Sequence, residues 1–179
     1  MFNELFLQKK PINKRMAKKP LSQQTPQNSL SQQEADDLLA LAKEREKRKT
    51  YYLPLGGEKL QIPIISCNKE HRFTLDINSS RLIISKYTFQ TRLNVIELLR
   101  LDINGHPHTN PDAVYVGRTH IHRYKEGCGL DWAEALPESF GSADILELLD
   151  QFMNDCTIMK KPKIKKVSLI KTLFDDVND

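Results

Sequence analysis

Apolar and polar positions change period several times along the chain, and each change marks a different element. Ser31-Gln32-Gln33-Glu34 has the form of a capping box, and Ala35, Leu38, Leu39 and Ala42 follow it as a narrow stripe at helical spacing. The spacing predicts a first helix from Ser31 to about Lys49, with its charged last turns, Lys43 to Lys49, projecting into solvent. Pro54 and Gly56-Gly57 break the pattern, after which the period falls to two. Leu60, Ile62 and Ile64 alternate, as do Phe73, Leu75 and Ile77, with Ser66 to Glu70 as the turn between them. The run Leu82 to Arg92 sets Ile83, Tyr87 and Phe89 on one side and Lys86, Thr88, Gln90 and Arg92 on the other. In Val95 to Ile103, Leu99, Leu101 and Ile103 alternate with Arg100 and Asp102. Antiparallel sheets tolerate one wet face, so these runs predict a meander with one side on the core.

Asn104 to Gly117 holds two prolines and two glycines and is expected to be a long turn. Arg118 to Tyr124 follows as a strand, then a turn at Gly127 and Gly129, and a short strand over Trp132 to Leu136. Ser142 is the expected cap of a closing helix in which Ile145, Leu148, Leu149, Phe152, Met153 and Cys156 form the apolar face. The fold class that results is α+β, a mostly antiparallel sheet flanked by an N-terminal and a C-terminal helix.

Composition refines the boundaries. Apolar residues make up 39% of the 179, enough for one core but slightly low for a chain packed along its whole length. Residues 1–30 read as a flexible leader, 31–158 as the single domain, and 159–179 as a tail or an amphipathic extension. Residues 1–28 carry six basic residues against Glu4, so of the net +4 the leader holds +5 and the rest of the chain −1. The domain itself is therefore not a basic surface. Cys67, Cys128 and Cys156 are odd in number and unpaired in spacing, which argues against a disulfide framework or a zinc ribbon and fits a reducing compartment. No apolar run reaches the ~18 residues of a membrane span, and Met1 to Lys10 lacks a signal-peptide block, so the expected setting is soluble and cytoplasmic, with no membrane partner.

Candidate chemistry concentrates in Leu99 to Trp132, which holds four of the five histidines: His106, His108, His120 and His122. Period-2 alternation puts Arg118, His120, His122 and Tyr124 on one strand face. If the neighbouring strands share the sheet, Lys86, Gln90, Arg92, Arg100 and Asp102 join them. Imidazoles, guanidinium groups and a phenol form a workable set for phosphodiester chemistry without a metal: one histidine or carboxylate takes the 2′-OH proton, arginine stabilises the phosphorane, and a second histidine or the tyrosine protonates the leaving oxygen. The expected catalytic residues are Arg100, Asp102, His108, Arg118, His120, His122 and Tyr124, with Lys86, Gln90 and Arg92 binding phosphate. No cofactor is expected. A metal is the competing reading, because His120-Ile121-His122 followed by Glu126 has the spacing of the first cupin motif and His108 would add a third ligand. The glycine that the motif requires is missing at Val114, and the apparent excess of cations on the face favours phosphate over a metal ion. Cys128, between glycines, has no helix start to activate it, and the P-loop and dinucleotide fingerprints are missing.

The residues Leu98 to Asp102, Pro107 to Asp112, His120 to Gly127 and Trp132-Ala133, with Ser85 to Gln90 and the Ser31 to Leu39 helix upstream, resemble an uncharacterised bacterial family of unknown function, over about Ser31 to Ile158. Members of that family often occur on mobile elements. A fainter similarity reaches the TumE-like toxins of toxin–antitoxin pairs, whose pattern of Arg-X-Asp, Pro-His and His-X-His matches Arg100, Asp102, Pro107-His108 and His120-X-His122. The TumE-like proteins are shorter and differ between the two histidine groups. That resemblance implies an RNA-directed protein in a toxin–antitoxin or phage-conflict setting, with RNA and an antitoxin or other protein as partners. The rival expectation is a non-enzymatic binding protein or inhibitor that uses the same face.

Overall fold

The computed structural model describes residues 29–167. The basic leader at 1–28 and residues 168–179 lie outside them. The elements in chain order are α1 (Gln32–Ala40), β1 (Lys43–Arg45), β2 (Thr50–Tyr52), β3 (Lys59–Ser66), β4 (Arg72–Ser79), β5 (Tyr87–Leu93), β6 (Ile96–Ile103), β7 (His108–Thr109), β8 (Tyr115–Val116), β9 (His120–Arg123), β10 (Ala133–Ala135), a 3-10 turn at Glu138–Ser142, α2 (Ile145–Asp155), β11 (Ile158–Lys160) and β12 (Lys163–Lys165). An eight-stranded sheet runs in the order β10-β9-β6-β5-β4-β3-β1-β11, antiparallel except for the β1–β11 pair. With one helix before it and one after it, this is the α+β fold that the alternation predicts.

The alternating apolar residues build the core from one side of the sheet. Ile62, Ile64, Leu75, Ile77, Phe89, Leu99, Leu101 and Ile121 are all buried, and α2 lays Leu148, Leu149, Phe152 and Met153 among them. The Phe89 and Phe152 rings meet with centroids 5.9 Å apart. Registered neighbours share a face, so the opposite positions Asp76, Gln90, Arg100 and His122 stand in a row across the other side.

The capping box forms as expected, with Ser31 and Glu34 bonded reciprocally. The helix does not reach Lys49 but stops at Ala40, and Lys43–Arg45 become a strand between β3 and β11. Lys43 is fully buried and donates from Nζ to the carbonyl oxygens of Leu39, Leu41 and Cys156, closing the end of α1. Ladder bonds on both sides and this ammonium outweigh the helix propensity of the charged run. The strand expected from Leu82 begins instead at Tyr87, because β4 ends at Ser79 and β6 at Ile103, leaving residues 82–86 nothing to pair with.

Asn104 to Gly117 is not wholly turn, since β7 and β8 form a small hairpin in it. Asp112 Oδ1 accepts from the Val114 amide at the hairpin tip. Ser142 does not cap α2. Its hydroxyl is spent on Ser139 O inside the 3-10 turn, and Asp144 accepts from the Leu146 amide in its place. Beyond 158, Ile158–Lys160 and Lys163–Lys165 add strands, β12 pairing in parallel with β2 as a separate ribbon. No described helix is long and apolar enough to cross a membrane.

Candidate functional site

Strands β5, β6 and β9 place the site by register alone. Thr88 stands opposite Asp102, Asp102 opposite His120, and Arg100 opposite His122. His108 arrives from the β7–β8 hairpin, whose position is set by Asn110. This buried amide donates to Ala133 O at 3.0 Å and accepts from the Ala133 amide at 2.8 Å, pairing the loop to β10 as a strand would. The three imidazoles then pack on one another, with centroids 4.8 Å apart for His120 and His122, 4.9 Å for His108 and His122, and 5.7 Å for His108 and His120.

Hydrogen-bond accounting assigns the ring protons. A carbonyl only accepts, so Nδ1 of His120 donates to Gly117 O at 2.7 Å and Nδ1 of His122 donates to Leu130 O at 2.7 Å. Both Nε2 atoms are thereby turned toward Asp102 Oδ2, each at 3.5 Å. Arg100 donates from Nε to Asp102 Oδ2 at 3.0 Å and from Nη2 to His122 Nε2 at 2.9 Å, so the guanidinium satisfies both. His108 donates from Nε2 to Asp131 O at 2.9 Å, which leaves its Nδ1 as a free acceptor.

Asp102 is the hub. Burial by itself would raise its carboxyl, but His120, His122, the Thr88 hydroxyl at 2.6 Å and the charge of Arg100 outweigh that and hold it well below the usual carboxylate range. Exposure divides the group into layers. His120 and His122 are 2% and 0% exposed, while the side chains of Asp102 and Arg100 keep 17% and 28%, and His108 is half-buried. Whatever meets the site from outside therefore meets Arg100, Asp102 and His108 first.

Five of the seven expected catalytic residues are brought together: Arg100, Asp102, His108, His120 and His122. Arg118 is turned away to donate to Gly105 O at 3.2 Å. Tyr124 follows its face but lies beyond β9, where its hydroxyl donates to Leu30 O and accepts from the Leu30 amide, tying α1 to the sheet. The three expected phosphate ligands do not converge on the cluster. Gln90 donates to Glu97, Arg92 pairs with Asp76 at 2.7 Å, and Lys86 sits in the turn ahead of β5. The expected excess of cations is thus corrected: Arg92 and Arg100 stand among Asp76, Glu97 and Asp102. Asp76 and Glu97 escape the sequence pattern because only register shows which positions of separate strands meet. Thr88 and Asn110 were also missed, although Thr88 belongs to the same polar alternation as Gln90.

Asp102, His120 and His122 each offer one ligand atom within 4.8 Å of the others, a spacing that a metal ion could bridge. Nδ1–H bonds to backbone carbonyls are the usual support for imidazoles that ligate through Nε2. Arg100, however, occupies the place between Asp102 and His122. Glu126 is no fourth ligand, for its carboxylate accepts from the Gln32 amide at the start of α1.

No curated protein and no solved structure matches the chain. A family model described as "Family of unknown function (DUF6978)" matches residues 30–158, which include every residue of the cluster and both helices. The chain belongs to that family of unknown function.

Proposed function

We propose that this chain is an RNA-directed protein, a toxin-like, metal-independent endoribonuclease of a toxin–antitoxin or phage-conflict setting, working through Arg100 and His108. The observation that carries the reading is the layering of the cluster: an accessible guanidinium and an imidazole with a free Nδ1, seated on Asp102 and the buried His120–His122 pair. His108 Nδ1 takes the proton of the 2′-OH, and the 2′-oxygen bonds to phosphorus. Arg100 donates to the non-bridging oxygens as the phosphorane forms, and the 5′-oxygen leaves with a proton from water. His120 and His122 act here as positioning residues, because their burial keeps them from substrate. The same residues carry the Arg-X-Asp, Pro-His and His-X-His pattern that resembles the TumE-like toxins.

The test is incubation of purified protein with total RNA in EDTA, beside His108→Ala and a double variant His120→Ala/His122→Ala. Loss of one general base lowers the rate by about 10²–10⁴-fold. Equal cleavage by wild type and His108→Ala overturns the assignment. RNA binding without cleavage by any of the three leaves the non-enzymatic binding reading.

A second reading has its own observation, the three ligand atoms of Asp102, His120 and His122 within 4.8 Å of each other. In that reading Arg100, long and part-exposed, swings out and a divalent transition-metal ion takes its place. Calorimetric titration with Zn²⁺ decides it: stoichiometric binding that is lost in His120→Ala/His122→Ala supports the metal, and no heat disposes of it.

A further inference from the structure

We infer that the outer face of the β2–β12 ribbon, which lies outside the eight-stranded order that holds the histidine cluster, is a binding surface for single-stranded RNA. The choice of RNA rests on the reading above, whereas the surface rests on its own geometry.

Arg45, Arg48, Lys49, Thr50, Lys161 and Lys163 line a groove of about 310 Å³ with no carboxylate in its wall. Two of these cations are already engaged. Arg45 donates to Lys161 O at 2.9 Å, and Lys161 pairs with Asp150 at 2.6 Å, bonds that stiffen one wall. Lys49 lies over the Tyr51 ring at 4.7 Å. Arg48, Lys163 and Lys165 are exposed and have no ion pair among the described residues. The neighbouring acids are spent elsewhere, Glu46 on Arg72 and Glu44 on Lys69 and Lys160. A cleft of one sign concentrates its field and draws in a polyanion.

The ribbon adds an aromatic. In β2 and β12 the inner residues Tyr51 and Ile164 join the core, so the registered outer pairs are Thr50 with Lys163 and Tyr52 with Lys165. Tyr52 is 57% exposed, a large ring left in water at the position registered with Lys165. Cations that track a phosphodiester backbone with an aromatic on which a base can stack are the two components of single-strand recognition. A duplex would present no free base to Tyr52, which favours a single strand. The +5 balance of residues 1–28 adds to the same attraction in the full chain.

The experiment uses the full chain and fluorescein-labelled U12, read by anisotropy from 50 to 300 mM NaCl. Variants are the triple Arg48→Gln/Lys163→Gln/Lys165→Gln, Tyr52→Ala, Tyr52→Phe and the cluster variant His120→Ala/His122→Ala. Each lost phosphate contact removes about 0.7 from the slope of log K against log salt, so the triple variant loses about 2 and binds about 100-fold more weakly at 0.1 M. Tyr52→Ala weakens binding about 5- to 150-fold, and Tyr52→Phe restores it. Arg48, Tyr52, Lys163 and Lys165 are exposed, and thermal melts of the groove variants matching wild type show that the fold is kept. Triple-variant binding within twofold of wild type overturns the surface. So does wild-type sedimentation with phosphatidylserine vesicles in the absence of U12 binding, which assigns the groove to lipid. The two proposals fail separately. Groove variants that bind normally, with wild-type cleavage intact, remove the surface and leave the nuclease. Groove-dependent binding with no cleavage by the wild type keeps the surface and removes the nuclease.

Discussion

Asp102→Asn tests whether the cluster is held by charge. The amide keeps the size of the carboxylate and can still accept from Thr88, but it loses the ion pair with Arg100 at 3.0 Å and the negative charge that faces the two histidine Nε2 atoms. Breaking a fully buried pair costs about 3–5 kcal/mol because the surviving charge has lost its partner. Arg100 retains 28% exposure and can turn to water, which brings the expected loss down to about 2–3 kcal/mol. With a urea slope of about 1.5–2 kcal/mol/M, the midpoint at pH 7 falls by about 1–2 M. Trp132, the single tryptophan, follows Asp131, whose carbonyl holds His108, so its fluorescence reports unfolding from beside the site. The pH dependence has a definite sign. A carboxyl whose folded value is depressed from 3.8 stabilises the fold above that value and loses the contribution as pH falls through the folded one. Wild type therefore loses its advantage over Asp102→Asn below about pH 4. Unfolding curves at pH 7 that agree within about 0.5 kcal/mol would refute the claim that Asp102 organises the cluster.

Burial lowers the Lys43 ammonium from 10.5 to about 8, against the opposing pull of Cys156 and Cys67, so the fold binds fewer protons there than the unfolded chain as pH rises from 8 to 10.5. Burial also pushes the Cys156 thiol up to about 12, which works in the other direction from pH 9. Stability is expected to rise by about 1 kcal/mol from pH 8 to pH 9, measured by urea unfolding, and that rise vanishes in Lys43→Met. Tyr124→Phe removes both bonds to Leu30 and costs about 1–2 kcal/mol, with faster hydrogen exchange confined to α1 as the signature. Asn110→Ala leaves Ala133 N–H and O without their partners at β10, costs about 2 kcal/mol, and on the nuclease reading lowers cleavage by freeing the hairpin that carries His108.

The helix cap at Ser31, the meander from Leu60 to Ile103, the apolar face of α2 and the strand His120 to Arg123 are all legible by period, since alternation and capping are local chemistry. Arg100, Asp102, His120 and His122 are legible for the same reason: each lies on the wet parity of its own strand. Parity names a face, though, and not a position along it. Tyr124 has the right parity but falls past the end of β9, and Arg92 has it but meets Asp76 before it meets any histidine.

What the sequence determined by itself is the class of fold and the identity of the polar face, because the period of two for a strand and 3.6 for a helix is written in consecutive residues. Tertiary structure decided the rest. Lys43 to Arg45 became a strand because β3 and β11 flank them, and Lys43 could be buried only where carbonyls from α1 and Cys156 converge on its ammonium. The register of β5, β6 and β9 chose Thr88, Asp102 and His120 as neighbours and gave Gln90 and Arg92 to other partners. Register depends on how separate strands slide against each other, a long-range balance of core packing that no single stretch of residues carries.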